Sequence, residues 1–555
     1  MDKKNDYRAW YKEGIVYQIY PRSFKDSNDD GIGDLKGITS KIDYLANLGI
    51  TMVWLSPIYA SPLDDNGYDI SDYYSIHPDY GTLDDFKEML DKFHEKGIKV
   101  IMDLVVNHTS DEHEWFKDVL KNGENSPYYD YYFFKPGKKK KAPNNWTSFF
   151  GGPAWEYVPE INRYYLHLFT KKQPDLNWDN PKVRAEVKKI LRFWLNMGVD
   201  GFRCDVINLI SKRNGLPNGK WRPFLRGQEH YANGPRLHDY LYELKKDVFS
   251  RYDCFTVGEC GLVNPEGALT YIAKEKEELN MLFSFDHMAS DTIVVKWFLR
   301  KFKLSRLKKA LTKWQYEING KGWNTLYLEN HDQPRSINRF GNLDFRIKSA
   351  TLLAMFVFLQ QGTPFIYEGE EIGMTNPSFE SLSDYKDVET HNIYKLGREK
   401  LHFSDKVMMR KIKYMSRDNA RTPMQWDDSD NAGFSDALPW IRVNPNYPYI
   451  NAQKDLNSKD SVYKFYQKLF ELRKKNNALI YGDYFEYYGK SNKIICYKRY
   501  DDKDTFFIVC NYSKKRRNLH LPFDLSNVTI VLDNYGYTEN TKLFEPYQGK
   551  VYKLK

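Results

Sequence analysis

The sequence predicts an α/β protein built on a (β/α)8 TIM-type barrel, with a small inserted domain after the third strand and a C-terminal antiparallel β domain. Two observations lead to this prediction: units of helix, glycine and short apolar strand recur, and eight candidate strands lie between Val16 and Tyr367. Eight such strands fit a closed barrel better than an open doubly wound sheet. No GxGxxG motif follows the first strand, which also disfavours the open sheet.

The repeating unit is clearest in three segments, whose apolar strands occupy 49–55, 97–103 and 198–205. The helix before the third strand has Asn180 as its N-cap, Pro181 at its first position and Gly198 as its stop. Its apolar stripe consists of Val183, Val187, Ile190, Leu191, Trp194 and Leu195. The other candidate strands are 16–20, 255–258, 282–285, 324–328 and 364–367. Because strands apolar on both faces need helices on both sides, we expect a parallel sheet.

The domain bounds follow from changes in sequence pattern. Between 105 and 173 the periodicity gives way to aromatic, proline-rich and glycine-rich sequence, which is too long for an ordinary connection. Near the C-terminus, runs such as 494–499 and 505–511 alternate as β-strands do. We therefore assign 1–104 and 174–480 to the barrel, 105–173 to an inserted domain over the barrel mouth, and 481–555 to a C-terminal β-sandwich domain.

Composition excludes several classes of protein. The net charge of +9 is spread over 555 residues, apart from the lysine run 138–141, which we interpret as a solvated loop, so no nucleic-acid partner is expected. No stretch approaches the roughly 18 apolar residues of a membrane span. The five cysteines form no CxxC pair, and the first residues lack the apolar core of a signal peptide. These features predict a cytoplasmic protein without a membrane partner.

Charged side chains end several of the candidate strands, where barrel active sites lie. They are Asp103, Arg203, Asp205, Glu259, His331 and Asp332. One such residue is usually a cap or an ion-pair partner, but several at one mouth would repel one another unless they served chemistry or a cation. Neither His108 nor His331 stands in an HxxxH or HxH pair, which disfavours metal-assisted hydrolysis. Two-carboxylate glycoside chemistry suits the set better.

Four blocks resemble the conserved regions of the α-amylase family, glycoside hydrolase family 13: 103–108, 201–205, Glu259 and 330–332. Three further segments, 66–69, 173–177 and 417–426, are similar to its oligo-1,6-glucosidase subgroup. The resemblance covers essentially the whole chain in order.

The resemblance implies a retaining mechanism with Asp205 as nucleophile, Glu259 as general acid/base and Asp332 as transition-state stabiliser. No cofactor is expected for catalysis. Arg203 is expected to keep Asp205 anionic, and negative neighbours are expected to raise the pKa of Glu259. Asp103 is expected to be structural.

The same resemblance implies how the substrate is held. The residues expected to bind the hydroxyls of the non-reducing glucose are Asp69, His108, His331 and Arg421, with Tyr68 stacking on the sugar ring. Asp69 and Arg421 carry opposite charges, and we expect them to pair and close the pocket floor, which makes the enzyme exo-acting. Phe150, Phe169 and Gln173 are expected to line the pocket, with a core role equally open for the two phenylalanines.

One loop, 26–34, has the alternating oxygen ligands of the first half of an EF-hand. The expected ligands are the side chains of Asp26, Asn28, Asp30 and Asp34 and the carbonyl of Ile32. Gly37 stands where the EF-hand would place its glutamate. Resemblance to family members with a metal here favours a structural Ca²⁺ over a metal-free turn.

The linkage preference is expected from Val206, because valine after the nucleophile goes with α-1,6 bonds in this subgroup. The expected substrates are isomaltose and short isomalto-oligosaccharides, and the expected state is a monomer. Trehalose 6-phosphate, sucrose and α-1,4 maltosides stay open as alternatives, since trehalose-6-phosphate hydrolases can share this valine. The basic residues Lys212, Arg213, Lys220, Arg222 and Arg226 form either a phosphate site or a solvated surface.

Overall fold

A closed parallel barrel forms the centre of the computed structural model, which describes residues 8–136, 141–537 and 539–555. Its strands are β1 (Val16–Ile19), β2 (Met52–Leu55), β3 (Lys99–Leu104), β4 (Gly201–Cys204), β5 (Phe255–Glu259), β6 (Met281–Phe283), β7 (Thr325–Leu326) and β8 (Thr363–Tyr367). They pair in the order β6-β5-β4-β3-β2-β1-β8-β7. A parallel bridge between Leu282 and Asn324 joins the two ends. The predicted (β/α)8 barrel is confirmed.

The helix Pro181–Met197 begins and ends where the sequence predicts. The Asn180 side chain accepts a hydrogen bond from the Lys182 backbone at 2.9 Å, and Gly198 ends the helix with φ of 109°. All six residues of the predicted stripe are buried. The helix therefore covers the strands through the face that its sequence pattern indicates.

Helices follow the barrel strands around the outside. The longer ones are Leu83–Glu95, Glu114–Asn122, Pro181–Met197, Leu237–Asp247, Pro265–Ile272, Leu304–Ile318, Arg346–Phe358, Val388–Glu399, Asp405–Met415 and Val462–Lys475. The shorter ones, which include single turns, are Trp10–Glu13, Pro21–Phe24, Leu35–Ser40, Ile42–Leu48, Gln228–Tyr231, Ser336–Arg339, Asp418–Arg421, Ala452–Asn457 and Asn477–Ile480.

The segment between β3 and β4 has its own small antiparallel sheet. Its strands are Phe134–Lys135, Trp155–Val158 and Arg163–Leu166. A separate pair, Tyr59–Ala60 and Asp72–Ile76, precedes it. Most of the predicted lysine-rich loop, residues 137–140, lies outside the described residues.

The C-terminal segment contains a five-stranded antiparallel sheet. Its strands are Asp483–Tyr487, Ile494–Tyr500, Thr505–Asn511, Gly549–Leu554 and Val528–Asp533 in spatial order. A two-stranded sheet, Arg517–Asn518 with Leu543–Phe544, accompanies it. The structure thus contains the predicted antiparallel β elements, while the exact domain bounds remain a prediction.

One buried arginine joins this sheet to the barrel, and a second binds the same turn from a barrel helix. Arg473, on the helix Val462–Lys475, donates to the carbonyls of Phe358 at 3.1 Å and Gln360 at 3.0 Å. Arg499, on the C-terminal sheet, donates to the Leu359 carbonyl at 2.8 Å. Both arginines are fully buried. They donate hydrogen bonds to carbonyls at and after the C-terminal end of the helix Arg346–Phe358, where the last carbonyls have no acceptor role within the helix.

In the part of the chain that the structure describes, no helix has both the length and the apolar character needed to cross a bilayer.

Candidate active site

One guanidinium group joins three carboxyl groups at the mouth of the barrel. Arg203, on β4, donates from Nη1 to Asp205 Oδ1 and to Asp103 Oδ1, both at 2.5 Å. Its Nη2 donates to Glu259 Oε2 at 2.7 Å. Asp103 also accepts a hydrogen bond from Trp54 at 2.8 Å and is fully buried, which agrees with its predicted structural role. The geometry therefore places Asp205 and Glu259 side by side on one arginine.

The two carboxyl groups are set up to hold a proton near neutral pH. Burial raises the pKa of Asp205 to about 7, although Arg203 opposes the shift. Burial also raises the pKa of Glu259 to about 7, again against Arg203, and the negative charges of Asp205 and Asp332 add to the rise. Arg203 contacts Asp205 as predicted, but its charge does not keep the pKa of Asp205 low, because burial outweighs it and Asp103 shares it. A carboxyl pair of this kind titrates as a unit.

The backbone after the nucleophile has an unusual conformation. Val206 has φ of 35° and ψ of 38°, in the left-handed region that β-branched residues rarely adopt. Its N–H donates to Glu259 Oε2 at 3.2 Å. The conformation therefore directs a backbone donor at the carboxyl group of Glu259.

Asp332 has a contrasting environment. His331 Nε2 lies 3.2 Å from one carboxylate oxygen, and the other accepts hydrogen bonds from Arg417 at 3.2 Å and Arg421 at 2.9 Å. Burial acts to raise the pKa of Asp332, but these positive and polar neighbours outweigh it and hold the pKa well below its usual range. Asp332 is therefore a permanent anion, as a stabiliser of positive charge must be.

The expected pairing of Asp69 with Arg421 is wrong. Asp69 is fully buried and accepts hydrogen bonds from the backbone N–H groups of Asp64 at 2.8 Å and Asp65 at 3.0 Å. Arg421 donates instead to Asp332 and, at 2.9 Å, to the His331 carbonyl. The carboxylate of Asp69 is engaged by its own loop, so it braces that loop and does not form an ion pair with Arg421.

A different ion pair lies beside Asp332, and the sequence did not indicate it. Arg417 Nη2 lies 3.0 Å from Asp65 Oδ1 and 2.6 Å from Asp387 Oδ1. The guanidinium also lies over the ring of Phe150, 5.0 Å from its centre. Asp65 is next to the motif 66–69, and Arg417 begins the motif 417–426, so both residues stood in or beside recognisable motifs. Sequence spacing alone could not show that they form an ion pair.

The remaining predicted substrate residues form a hydrogen-bonded wall beside this pair. The Tyr68 hydroxyl and His331 Nε2 share a hydrogen bond at 2.8 Å, and their rings stack at 5.3 Å. Gln173 Nε2 donates to Asp65 at 3.3 Å and lies 3.1 Å from His108 Nε2. The structure thus brings these predicted residues together, and Asp65, which was not predicted, lies beside them.

The two phenylalanines lie at the edge of this wall. The Phe169 ring is 5.1 Å from the ring of His108 and 5.7 Å from that of Phe150. Both side chains are only partly buried, so a position lining the pocket fits them better than a role in the core.

The loop 26–34 uses its acidic side chains to bind its own backbone. Asp26 accepts hydrogen bonds from the N–H groups of Asn28 and Asp29, both at 2.9 Å, and from Gly31 at 2.8 Å. Asp34 accepts from Ser27 at 2.8 Å and Gly37 at 2.6 Å. Among the described residues, no cluster of three or more His, Cys, Asp or Glu side chains is arranged to hold a metal ion. The predicted ligands Asp30 and Ile32 lie on the same loop, and calcium binding stays a prediction.

The basic residues after Asp205 do not share one environment, and Arg226 donates from Nη2 to the Arg222 carbonyl at 3.3 Å. Lys212 is buried and bonds to Asp175 at 2.7 Å and Asn107 at 2.8 Å. Arg213 and Lys220 are exposed, and Arg222 lies 3.8 Å from Glu229. The ammonium group of Lys212 is therefore paired inside the protein and does not face solvent.

Comparison with known proteins places this geometry among carbohydrate-active enzymes. The family model for the alpha-amylase catalytic domain matches residues 18–482. A protein of Parageobacillus thermoglucosidasius named oligo-1,6-glucosidase is 51% identical, with 99% of each chain covered. The trehalose-6-phosphate hydrolase of Bacillus licheniformis superposes with a TM-score of 0.92 at 44% identity, covering 99% of this chain and 100% of that one. A variant of isomaltulose synthase from Erwinia rhapontici, in complex with sucrose, gives a TM-score of 0.95 at 39% identity over 99% and 100%.

Proposed function

The chain belongs to the α-amylase family, glycoside hydrolase family 13, and from that membership we propose that it is an exo-acting α-glucosidase that hydrolyses terminal α-1,6-glucosidic bonds of isomaltose and short isomalto-oligosaccharides. The observation that carries the proposal is the contact of Asp205 and Glu259 with the two ends of one guanidinium group. Retaining glycosidases need two carboxyl groups about 5–5.5 Å apart, one ionised and one protonated. A coupled pair with raised pKa values meets the second requirement.

In the first step, Asp205 attacks the anomeric carbon and Glu259 gives its proton to the leaving glycosidic oxygen. A covalent glucosyl-enzyme forms and the remaining sugar departs. Positive charge develops on the sugar ring in the transition state, and the permanent carboxylate of Asp332 stabilises it. In the second step, Glu259 takes a proton from water, which attacks the same carbon from the face that the leaving group vacated, while the bond from that carbon to Asp205 breaks and the Asp205 carboxylate is restored.

The exo mode follows from the floor of the site. The Asp65–Arg417 pair extends to Asp387, and we infer that the hydroxyls of a terminal glucose bind to these buried charged groups. When buried side chains are placed to hydrogen-bond substrate hydroxyls, a ligand that lacks those hydroxyls leaves the side chains unpaired and binds poorly. A chain that continued beyond this glucose would have to displace the ion pair, so only a non-reducing end fits.

The α-1,6 preference rests on Val206 and on the names of relatives such as the P. thermoglucosidasius protein. The alternative of a trehalose-6-phosphate hydrolase draws support from the B. licheniformis structure. This alternative is disfavoured because Lys212 is paired with Asp175 in the core and Arg222 lies 3.8 Å from Glu229. Sucrose and α-1,4 maltosides are weaker alternatives.

The test is glucose release from isomaltose, maltose, sucrose and trehalose 6-phosphate at equal concentrations, with Asp205→Asn as the blank. The proposal expects isomaltose to give the highest kcat/KM. A preference for trehalose 6-phosphate would overturn the substrate and leave the chemistry standing. Proton NMR of the first glucose released tests retention, because a retaining enzyme yields the α-anomer first.

We also propose a structural Ca²⁺ bound by the loop 26–34, because Ca²⁺ prefers the oxygen donors that Asp26, Asn28 and Asp30 offer. The expected result is a higher Tm on adding CaCl2 to chelator-treated protein, and a smaller rise in Asp30→Ala. No change in the parent protein would overturn it.

We propose a monomer in the cytoplasm, where the five unpaired cysteines would stay reduced. Light scattering and cell fractionation test the two parts.

A further inference from the structure

A short loop after the nucleophile, residues 219–227, closes on itself through two glycines. A Cβ atom on Gly219 would lie 2.3 Å from the backbone nitrogen of Gly227, so the two backbones touch. Asn145 donates to the Gly219 carbonyl at 2.9 Å, and the Gly219 N–H donates back to the Asn145 amide oxygen at 2.7 Å. The segment is a compact loop whose ends meet, which limits how far it can move.

The inserted domain holds both ends of this loop. The Trp146 indole donates to the Pro217 carbonyl at 2.8 Å, and its ring packs where a Cβ atom of Gly227 would lie, 2.3 Å from Trp146 Cδ1. The Thr147 N–H donates to the Arg226 carbonyl at 3.1 Å, and the Thr147 hydroxyl accepts from the Arg226 N–H at 2.8 Å. The loop is therefore fixed before any ligand binds.

Packing locates the loop on the rim of the catalytic pocket. Leu216 and Tyr231, which flank it, belong to the same apolar cluster as Val206 and Phe169. On its other side, Phe224 contacts Phe298, with ring centres 5.6 Å apart. The loop thus extends from the nucleophile side of the mouth to the segment that follows β6.

That second segment is connected to the catalytic groups as well. Trp297, next to Phe298, donates to Glu389 at 3.0 Å, and Glu389 lies 3.6 Å from Arg417. Arg417 in turn contacts Asp332. The segment that Phe224 packs against is therefore connected to the catalytic groups through Glu389 and Arg417.

Trp221 lies within this loop with 80% of its surface exposed, whereas Trp146, which packs against Gly227 of the loop, is 1% exposed. An exposed indole on a backbone that is already held offers a large apolar face with only two side-chain torsions to order, and its negative π face attracts the C–H groups of a sugar ring. Lys220, exposed, and Arg222 flank it and can donate hydrogen bonds to hydroxyls.

We propose that Trp221 binds the glucosyl unit beyond the disaccharide that is cleaved, and so favours isomaltotriose and longer chains over isomaltose. This inference rests on the proposed function, because it assigns the leaving side of the same site. It also gives the basic loop a role in binding neutral sugar in place of phosphate.

The experiment compares the ratio of kcat/KM for isomaltotriose to that for isomaltose in the parent enzyme, Trp221→Ala and Trp221→Phe. The ratio should fall about fivefold to tenfold in Trp221→Ala, the size of a single aromatic contact, and recover largely in Trp221→Phe. Tyr242→Ala is the matched control: Tyr242 is 57% exposed on the outer helix Leu237–Asp247, and its loss should leave the ratio unchanged.

A ratio that does not fall in Trp221→Ala, or that falls equally in Tyr242→Ala, overturns the inference. If the parent enzyme releases no glucose from isomaltose, the proposed function fails instead. The inference can then be tested by binding alone, with calorimetric titration of isomaltotriose into Asp205→Asn and into the double variant that also carries Trp221→Ala. A Kd that is fivefold to tenfold weaker in the double variant supports the inference, and an equal Kd overturns it.

Discussion

The two halves of the catalytic site use the same residue types in opposite proportions. On one side a single arginine, Arg203, serves three carboxyl groups, those of Asp103, Asp205 and Glu259. On the other side a single carboxylate, Asp332, is contacted by two arginines and a histidine. Arg203 is divided among three carboxyl groups, whereas Asp332 receives both Arg417 and Arg421, although Arg417 also serves Asp65 and Asp387.

The difference shows how one barrel mouth supports both proton transfer and charge stabilisation. Where acids outnumber the cation, burial prevails and the pKa values of Asp205 and Glu259 rise to about 7. Where two arginines and a histidine contact one carboxylate, the pKa of Asp332 stays well below its usual range despite burial. The number of favourable contacts that each carboxylate receives, more than the identity of the acid, determines which carboxyl group can carry a proton.

The largest effect is expected from removing either acid of the first half. Asp205→Asn eliminates the nucleophile and Glu259→Gln eliminates the proton donor, so kcat on isomaltose should fall by a factor on the order of 10³ or more. Steady-state kinetics measure the loss, and circular dichroism checks that the fold is intact. Turnover near that of the parent in either variant would contradict the assigned roles.

A smaller loss is expected from the second half. Arg417→Ala removes the partner of Asp65 and one of the cations on Asp332, so kcat/KM should fall roughly 10²-fold. Arg417→Lys should lose nearly as much, because a lysine cannot reach Asp65, Asp332 and Asp387 together. Recovery of activity in the lysine variant would mean that charge alone matters at this position.

The pH profile distinguishes the halves. Activity requires one proton on the Asp205–Glu259 pair, so kcat/KM should fall on the alkaline side from about pH 7, as Glu259 loses its proton. It should also fall in acid, as Asp205 gains one. With p-nitrophenyl α-glucoside, whose leaving group needs no proton, Glu259→Gln should lose the alkaline limb. An alkaline limb that persists in this variant would assign it to another group.

The smallest effect is on stability, and its sign differs between the halves. Because the pKa of Glu259 is raised in the folded state, the folded protein keeps a proton that the unfolded chain releases. The burial of Glu259 therefore lowers the free energy of unfolding progressively as the pH rises from about 4 to 7. Glu259→Gln should therefore raise Tm by roughly 1–3 °C at pH 8 and by less at pH 4.

Asp332 should behave in the opposite way. Its lowered pKa contributes stability that is present above about pH 4 and is lost as the pH falls further. Asp332→Asn should therefore lower Tm at pH 7, and calorimetry of both variants over pH checks the two signs. A lower Tm in Glu259→Gln at pH 8 would contradict the contrast.

The sequence predicted the barrel because local signals agree along it: helix caps, apolar stripes and glycine stops mark where each strand begins. It indicated that Asp103, Asp205 and Glu259 lie together because strand ends meet at one mouth, while the catalytic roles came from the family resemblance and stay predictions. It could not pair Asp65 with Arg417, which are 352 residues apart. It mispaired Asp69 because backbone donors within the loop compete for a carboxylate, and spacing does not reveal which partner prevails.

The buried arginine on the C-terminal sheet has a consequence for the chain as a whole. Arg499 reaches the carbonyls of both Leu359, beside the barrel, and Gly482, at the start of the sheet. Deleting the sheet would leave the Leu359 carbonyl without this donor and buried, and such carbonyls cost free energy. The catalytic barrel is therefore not a detachable module. Attempts to shorten the enzyme to a minimal core should yield aggregating protein, and heating should melt both regions in a single cooperative transition.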